Sequence, residues 1–157
     1  MLIGVLSDTH DNLPSIKRAV EFFRRKSVEA IIHAGDLIAP FAARELLKAG
    51  IPISAIYGNN DGDRAGLAKL LPGICDGPRI ESLGGIRILI VHALESMDTA
   101  DMTDVEAVVS GHDHHPAVHK AAALLVNPGE CGGWLTGRST VALLQTNGLS
   151  ADIVELT

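Results

Sequence analysis

A chain of 157 residues with 46% apolar side chains has room for one ordinary domain with a sizeable core and is too short for two. Only 3% of the residues are aromatic, so the apolar content is mostly aliphatic, a balance that suits buried parallel strands covered by helices. The net charge of -6 argues against a nucleic-acid binder with a basic face, and Cys75 and Cys131, far apart and outside any C-x-x-C, argue against a disulfide framework or a thiolate zinc site.

Taken in chain order, Leu2 to Leu6 reads as a strand, too short for a signal segment and without a basic stretch before it. Asn12 as a cap, Pro14 in the first turn and Ile16, Ala19, Val20 and Phe23 at helical spacing predict a helix through NLPSIKRAVEFFRRK. Its basic residues Lys17, Arg18, Arg24, Arg25 and Lys26 fit a solvated helix face. A strand over Ala30 to Ala34, a helix over Pro40 to Lys48 closed by Gly50, a strand over Ile53 to Tyr57 and a helix over Ala65 to Leu71 stopped by Pro72 follow. This β-α-β-α-β-α order implies a parallel sheet with right-handed crossovers.

Beyond Pro72 the pattern turns to strands: Arg79 to Leu83, Ile86 to Val91, Ala107 to Val109, Ala122 to Val126, Ser139 to Gln145 and Ala151 to Leu156. Gly84-Gly85 and Asn147-Gly148 read as hairpin turns. Two packed sheets, each covered by helices, in a single domain over residues 1–157 use both halves. No stretch is long enough to span a bilayer, and the expected location is a reducing cytoplasm.

The polar residues that follow the apolar runs are the most informative. Asp8 and His10 follow the first, Asp36 the second, Asn59 the third, His92 the strand ending at Val91, and His112 and His114 the strand ending at Val109. In open α/β sheets ligands collect outside the carboxyl ends of the strands, so these seven residues are expected to converge. Asp, His and Asn without Cys suit Mn²⁺, Fe, Ni²⁺, Co²⁺ or Zn²⁺, and seven ligands suit two ions roughly 3.5 to 4 Å apart that share a carboxylate. Within each D-x-H and H-x-H pair, the two side chains fall on the same side of an extended chain.

The blocks D-x-H at Asp8 and His10, G-D at Gly35-Asp36, G-N at Gly58-Asn59, V-H at Val91-His92 and G-H-x-H at Gly111 to His114 resemble the calcineurin-like metallophosphoesterase family. The compact length and N-P-G at Asn127 to Gly129 are similar to its small bacterial and archaeal phosphodiesterase branch. That resemblance implies a four-layer α-β-β-α sandwich with two mixed β-sheets and two divalent metal ions per chain, Mn²⁺ favoured. It implies one ion on Asp8, His10, Asp36 and His114 and the other on Asp36, Asn59, His92 and His112, with Asp36 bridging. Asp36, Asn59, Asn60 and His92 are the residues expected to take part in catalysis. Two cations clamping a water lower its pKa, and the hydroxide attacks the phosphorus of a small phosphoester.

Three positions depart from the family pattern. Asn60 stands where many relatives carry a His, and an amide cannot transfer a proton, so general-acid help worth roughly 10²- to 10⁴-fold is expected to be absent or supplied by water. Ala93 replaces a common Gly, and Glu130 replaces the Ser that often ends N-P-G-S. Elsewhere, His33 is read as a packed strand histidine or a support for a ligand, His115 and His119 as surface residues, and Asp11 and Asn12 as caps of the first helix. Asp61 is balanced between orienting a ligand and starting a helix. Asp63 and Arg64 read as helix-start residues, and Trp134 as a packing lid.

The leading expectation is therefore a metal-dependent phosphoesterase, a phosphodiesterase by preference. The alternative is a noncatalytic scaffold, because a subunit of the retromer sorting complex resembles the same fold. A nucleotide-binding oxidoreductase is set aside, since the first strand leads into GVLSDTH rather than G-x-G-x-x-G. Pairing of two copies through exposed apolar surface is left open.

Overall fold

The computed structural model describes residues 1–97 and 104–157. Strand β1 (Leu2–Leu6), helix α1 (Leu13–Arg25), β2 (Ala30–His33), α2 (Pro40–Leu47), β3 (Ile53–Tyr57) and α3 (Arg64–Leu70) form the first half. The second half is almost entirely strand: β4 (Cys75–Asp76), β5 (Arg79–Leu83), β6 (Ile86–Ile90), β7 (Ala107–Val109), β8 (Ala117–Lys120), β9 (Leu124–Asn127), β10 (Thr140–Gln145) and β11 (Ser150–Glu155). A one-turn 3₁₀ helix, Leu94–Ser96, lies between β6 and β7.

The strands make two mixed sheets, one ordered β11-β10-β1-β2-β3-β4 and the other β5-β6-β7-β9-β8. Strands β1 to β4 run parallel, as do β6, β7 and β9, while β10, β11, β5 and β8 are antiparallel to their neighbours. Alternation along β1 explains the layering. Ile3 and Val5 enter the space between the sheets with Ile32, Ile56, Ile88, Ile90 and Val109, whereas Leu6 joins Ile16, Phe23, Leu46 and Leu67 under the helices. Gly4 also faces the helix layer, where a Cβ would stand 2.8 Å from the ring of the fully buried Phe23.

The outer face of the second sheet buries Leu89, Val91 and Val108 against Val105, Leu94 and Met97. Among the described residues, three helices cover the first sheet and the 3₁₀ turn Leu94–Ser96 lies on the second. Asn12 caps α1 by accepting from Ser15 N–H at 3.2 Å, and the basic residues Lys17, Arg24, Arg25 and Lys26 are exposed, as a solvated face requires.

Two strands departed from expectation. Strand β8 escapes the sequence pattern because it is an edge strand with an exposed end, His119 and Lys120, paired only to β9. Strand β4 is two residues long and pairs only with β3. No helix among the described residues is long and apolar enough to cross a membrane.

Candidate metal centre

The carboxyl ends of β1, β2 and β3 in one sheet meet those of β6 and β7 in the other. His92, just after β6, places Nδ1 2.7 Å from the carbonyl of Ala34, just after β2, and His112 N–H donates to Asp8 Oδ2 at 3.0 Å. The backbone turns sharply at this lip. Asp8, His10, Asp36, His112 and His114 all have positive φ, between 42° and 74°. Such strained residues persist only where the surroundings hold them, and they collect at functional sites.

All seven expected residues come to this place. Asp8 Oδ1 lies 3.8 Å from His10 Nε2 and 3.6 Å from His114 Nε2, so Asp8, His10 and His114 form one potential ligand group. Asp8, Asp36 and His92 form a second. Asp36 Oδ2 stands 3.5 Å from His10 Nε2 and 3.6 Å from His92 Nε2, between the two groups, where a shared carboxylate would sit. Asn59 Oδ1 extends the second group, 2.9 Å from His92 Nε2 and 3.0 Å from His112 Nδ1. His112 also brings Nε2 to 3.3 Å from Glu95, a neighbour the sequence did not point to.

These residues fit divalent cations. Donor atoms bound at about 2.1 Å to one ion stand roughly 3 to 3.5 Å apart, close to the spacings here. Asp8 Oδ1 and His10 Nε2 are buried and have no hydrogen-bond partner among the described residues, an arrangement that costs free energy unless a cation satisfies them. Without one, burial raises the pKa of Asp8. Burial also works against the charge on Asp36, but the His92 ring and Asn60 outweigh it and hold that carboxyl far below its usual range. Burial lowers the His92 pKa, yet Asp36 and the Ala34 carbonyl leave it raised.

Asn60, expected to take part in catalysis, borders the centre on a cavity that also touches His10 and His114. Its amide donates to Asp36 Oδ2 at 2.7 Å and its backbone N–H to Asp36 Oδ1 at 2.8 Å, so it grips the carboxylate. Asp61 proves to be an orienting residue. Its buried carboxylate accepts from the N–H groups of Asp36, Ile38 and Gly58 at 3.1, 2.6 and 2.7 Å, tying the β2 and β3 loops together. His33 accepts from Gly35 N–H on Nδ1 at 3.2 Å and faces Thr9 Oγ1 with Nε2, and burial pushes its pKa down to about 4.

Asp11 does not cap the first helix as expected: it accepts from Ala39 N–H, the cap position of α2, at 3.1 Å. Asp63 does begin α3 by accepting from Gly66 N–H, and Arg64 lies over the Tyr57 ring and pairs with Asp76. His115 is exposed beside Asp113, and His119 is exposed on β8. In N-P-G, Asn127 donates to the Gly111 carbonyl and to Asp113, bracing the loop that carries His112 and His114.

Glu130, next in sequence, is 1% exposed. Burial opposes its charge, but N–H groups of Thr136 and Leu135 reverse that effect and hold its carboxyl below the ordinary value. Its Oε1 lies 3.5 Å from His114 Nδ1. At that distance the two form no hydrogen bond, and His114 Nδ1 is a third buried atom of the site without a hydrogen-bond partner among the described residues.

An α/β sandwich with Asp, Asn and His ligand groups at its strand ends defines a class of metal-dependent hydrolases, and the family comparison agrees. Residues 1–148 match the calcineurin-like phosphoesterase superfamily domain, and the chain belongs to that superfamily. It is 37% identical over 157 residues to phosphodiesterase MJ0936 of Methanocaldococcus jannaschii, covering 93% of this chain and 93% of that protein. A solved structure of an archaeal phosphodiesterase is similar with a TM-score of 0.92 and 34% identity, covering 99% of this chain and 100% of the other. The zinc complex of Vps29 from Entamoeba histolytica shares the fold, with a TM-score of 0.72 and 16% identity over 100% of both chains.

Proposed function

We propose that this chain is a phosphodiesterase that holds two divalent cations, one on Asp8, His10, Asp36 and His114 and the other on Asp36, Asn59, His92 and His112. The supporting observation is the convergence of these side chains from five strand ends, with Asp8 Oδ1 and His10 Nε2 buried and without hydrogen-bond partners among the described residues. The donor set favours Mn²⁺, with Ni²⁺, Co²⁺, Fe or Zn²⁺ as alternatives. When bound, the cations supply Lewis acidity for water activation and charge for the phosphoryl oxygens.

The chain's own residues position and tune this centre. Asp36 is oriented by Asn60, and its loop is held by Asp61 and His33; the Glu130 carboxylate lies 3.5 Å from His114 Nδ1; His92 is aimed by the Ala34 carbonyl. Because Asn60 is an amide already engaged with Asp36, it offers no proton to a leaving oxygen, which favours esters whose leaving group departs unaided. The proposed substrate is accordingly a small phosphodiester with a good leaving group, acted on by one domain over residues 1–157 in the reducing cytoplasm.

The test is hydrolysis of bis(p-nitrophenyl) phosphate by protein stripped of metal and then given Mn²⁺, Ni²⁺, Co²⁺ or Zn²⁺, beside Asp36→Asn. Turnover that needs metal and disappears in Asp36→Asn is expected. Two bound ions with no turnover under any condition would instead favour the noncatalytic scaffold alternative.

A further inference from the structure

Trp134 and Leu135 are 65% and 79% exposed, adjacent, and beside the metal centre rather than on a remote face. With His10, His114, Asn60 and Glu130 they line one cavity of about 260 Å³. Leu135 also borders a second cavity of about 440 Å³, which shares His114 and reaches Pro116 and Thr140. Two adjacent large apolar side chains on the wall of a cavity that also holds polar ligand residues offer an apolar surface to whatever enters it.

Their position is fixed with respect to the ligand loop. The indole N–H of Trp134 donates to the His10 carbonyl at 3.1 Å, Gly132 N–H to the Asp8 carbonyl at 2.9 Å, and the Asn12 amide to the Gly132 carbonyl at 2.6 Å. Gly132 packs so closely that a Cβ would stand 2.9 Å from the Thr9 carbonyl oxygen. At the other side, Glu130 accepts from the N–H groups of Trp134, Leu135 and Thr136 at 2.5, 2.9 and 2.9 Å and from the Thr136 hydroxyl at 2.9 Å. A serine hydroxyl at that position has too few acceptor sites for this set, and a carboxylate has enough.

We propose that Trp134 and Leu135 form a platform for a planar, apolar ester substituent of the substrate, and that Glu130 is the positioning residue that sets this platform against His114. The inference rests on the phosphodiesterase reading and adds the chemical class of group that the enzyme selects. An aromatic ring on the platform would stack on the indole while its phosphoryl group reaches the metal centre through the cavity shared with His10 and His114.

The test uses the Zn²⁺-loaded protein with phenylphosphonate and methylphosphonate, neither of which carries an ester to hydrolyse. Trp134 is the only tryptophan of the chain, so its emission reports on this platform alone. Phenylphosphonate is expected to change that emission and, by calorimetry, to bind roughly tenfold more tightly than methylphosphonate, the effect of one stacked ring. Leu135→Ala and Glu130→Ala should shrink the ratio. Leu135→Ala should also raise KM for bis(p-nitrophenyl) phosphate more than it lowers kcat, a split that general loss of structure would not produce.

Equal affinities for the two phosphonates with unchanged emission would overturn the proposal, as would a ratio untouched by Trp134→Ala. A ratio untouched by Trp134→Ala together with a dimer that this variant dissociates would make the patch a contact between copies. If phenylphosphonate is preferred but bis(p-nitrophenyl) phosphate is never turned over, the platform stands and the phosphodiesterase reading falls. Turnover without the preference would leave the phosphodiesterase reading standing and remove the platform.

Discussion

Removing the Asp61 carboxylate tests how the β2 and β3 loops are held at their working distance. Oδ1 accepts from Ile38 N–H at 2.6 Å, and Oδ2 accepts from Gly58 and Asp36 N–H at 2.7 and 3.1 Å. Asp61→Ala strands the buried N–H groups of Asp36 and Gly58 and lets water reach that of the half-buried Ile38. At roughly 1 to 3 kcal/mol for each of the two buried donors left unmet, the loss is about 2 to 6 kcal/mol. Asp61→Asn can keep its carbonyl oxygen toward Asp36 and Gly58 but turns an NH₂ toward Ile38 N–H, for a loss of about 1 to 3 kcal/mol. A domain in the upper part of the usual range of about 5 to 15 kcal/mol stays folded at 25 °C with either change. Urea denaturation of the metal-free proteins gives the ranking, and calorimetric Zn²⁺ titration should show weaker binding in both variants, since Asp36 and Asn59 ride on the loosened loops. A loss below about 1 kcal/mol in Asp61→Ala would refute the reasoning, because those N–H groups would then be met without Asp61.

His33 has a folded-state pKa near 4 against its ordinary 6.5, so the unfolded chain takes up the proton first. Its contribution is fully present above pH 6.5 and is lost as the pH falls toward 4, about 3 kcal/mol in all; urea midpoints across this range should flatten in His33→Gln relative to the parent, and parallel curves would count against it. Aryl phosphodiesters should react far faster than alkyl ones, and Asn60→His should narrow that gap; rates independent of leaving-group pKa would show that proton delivery does not limit turnover. Cys131 is fully buried with its pKa pushed up to about 12 by burial, whereas Cys75 is partly exposed, so a thiol reagent should titrate one cysteine in the native protein and two in urea. Two reacting thiols without denaturant would contradict the packing around Cys131.

The sequence by itself determined the three β-α units, because helical spacing in α1 and aliphatic runs in β1, β2 and β3 are local signals with local causes. It also determined which residues stand at the strand ends, since Asp8, Asp36, Asn59, His92 and His112 each follow an apolar run within three residues. Strand β8 was beyond it, because an exposed edge strand has no apolar alternation and exists only through its pairing with β9. So were the partners of Asp11, Asn60, Asp61 and Glu130. Local pattern reads Asp11 as a cap, leaves Asp61 between orienting a ligand and starting a helix, and names no partner for Asn60 or Glu130. Tertiary structure decided instead that Asp11 serves α2, that Asn60 and Asp61 serve the Asp36 loop, and that Glu130 gathers residues 134–136. The same holds for the ligand groups: the meeting of His92 with Ala34 and Asn59 depends on two sheets packing face to face, and a hydrogen bond across 58 residues has no trace in the spacing of either strand.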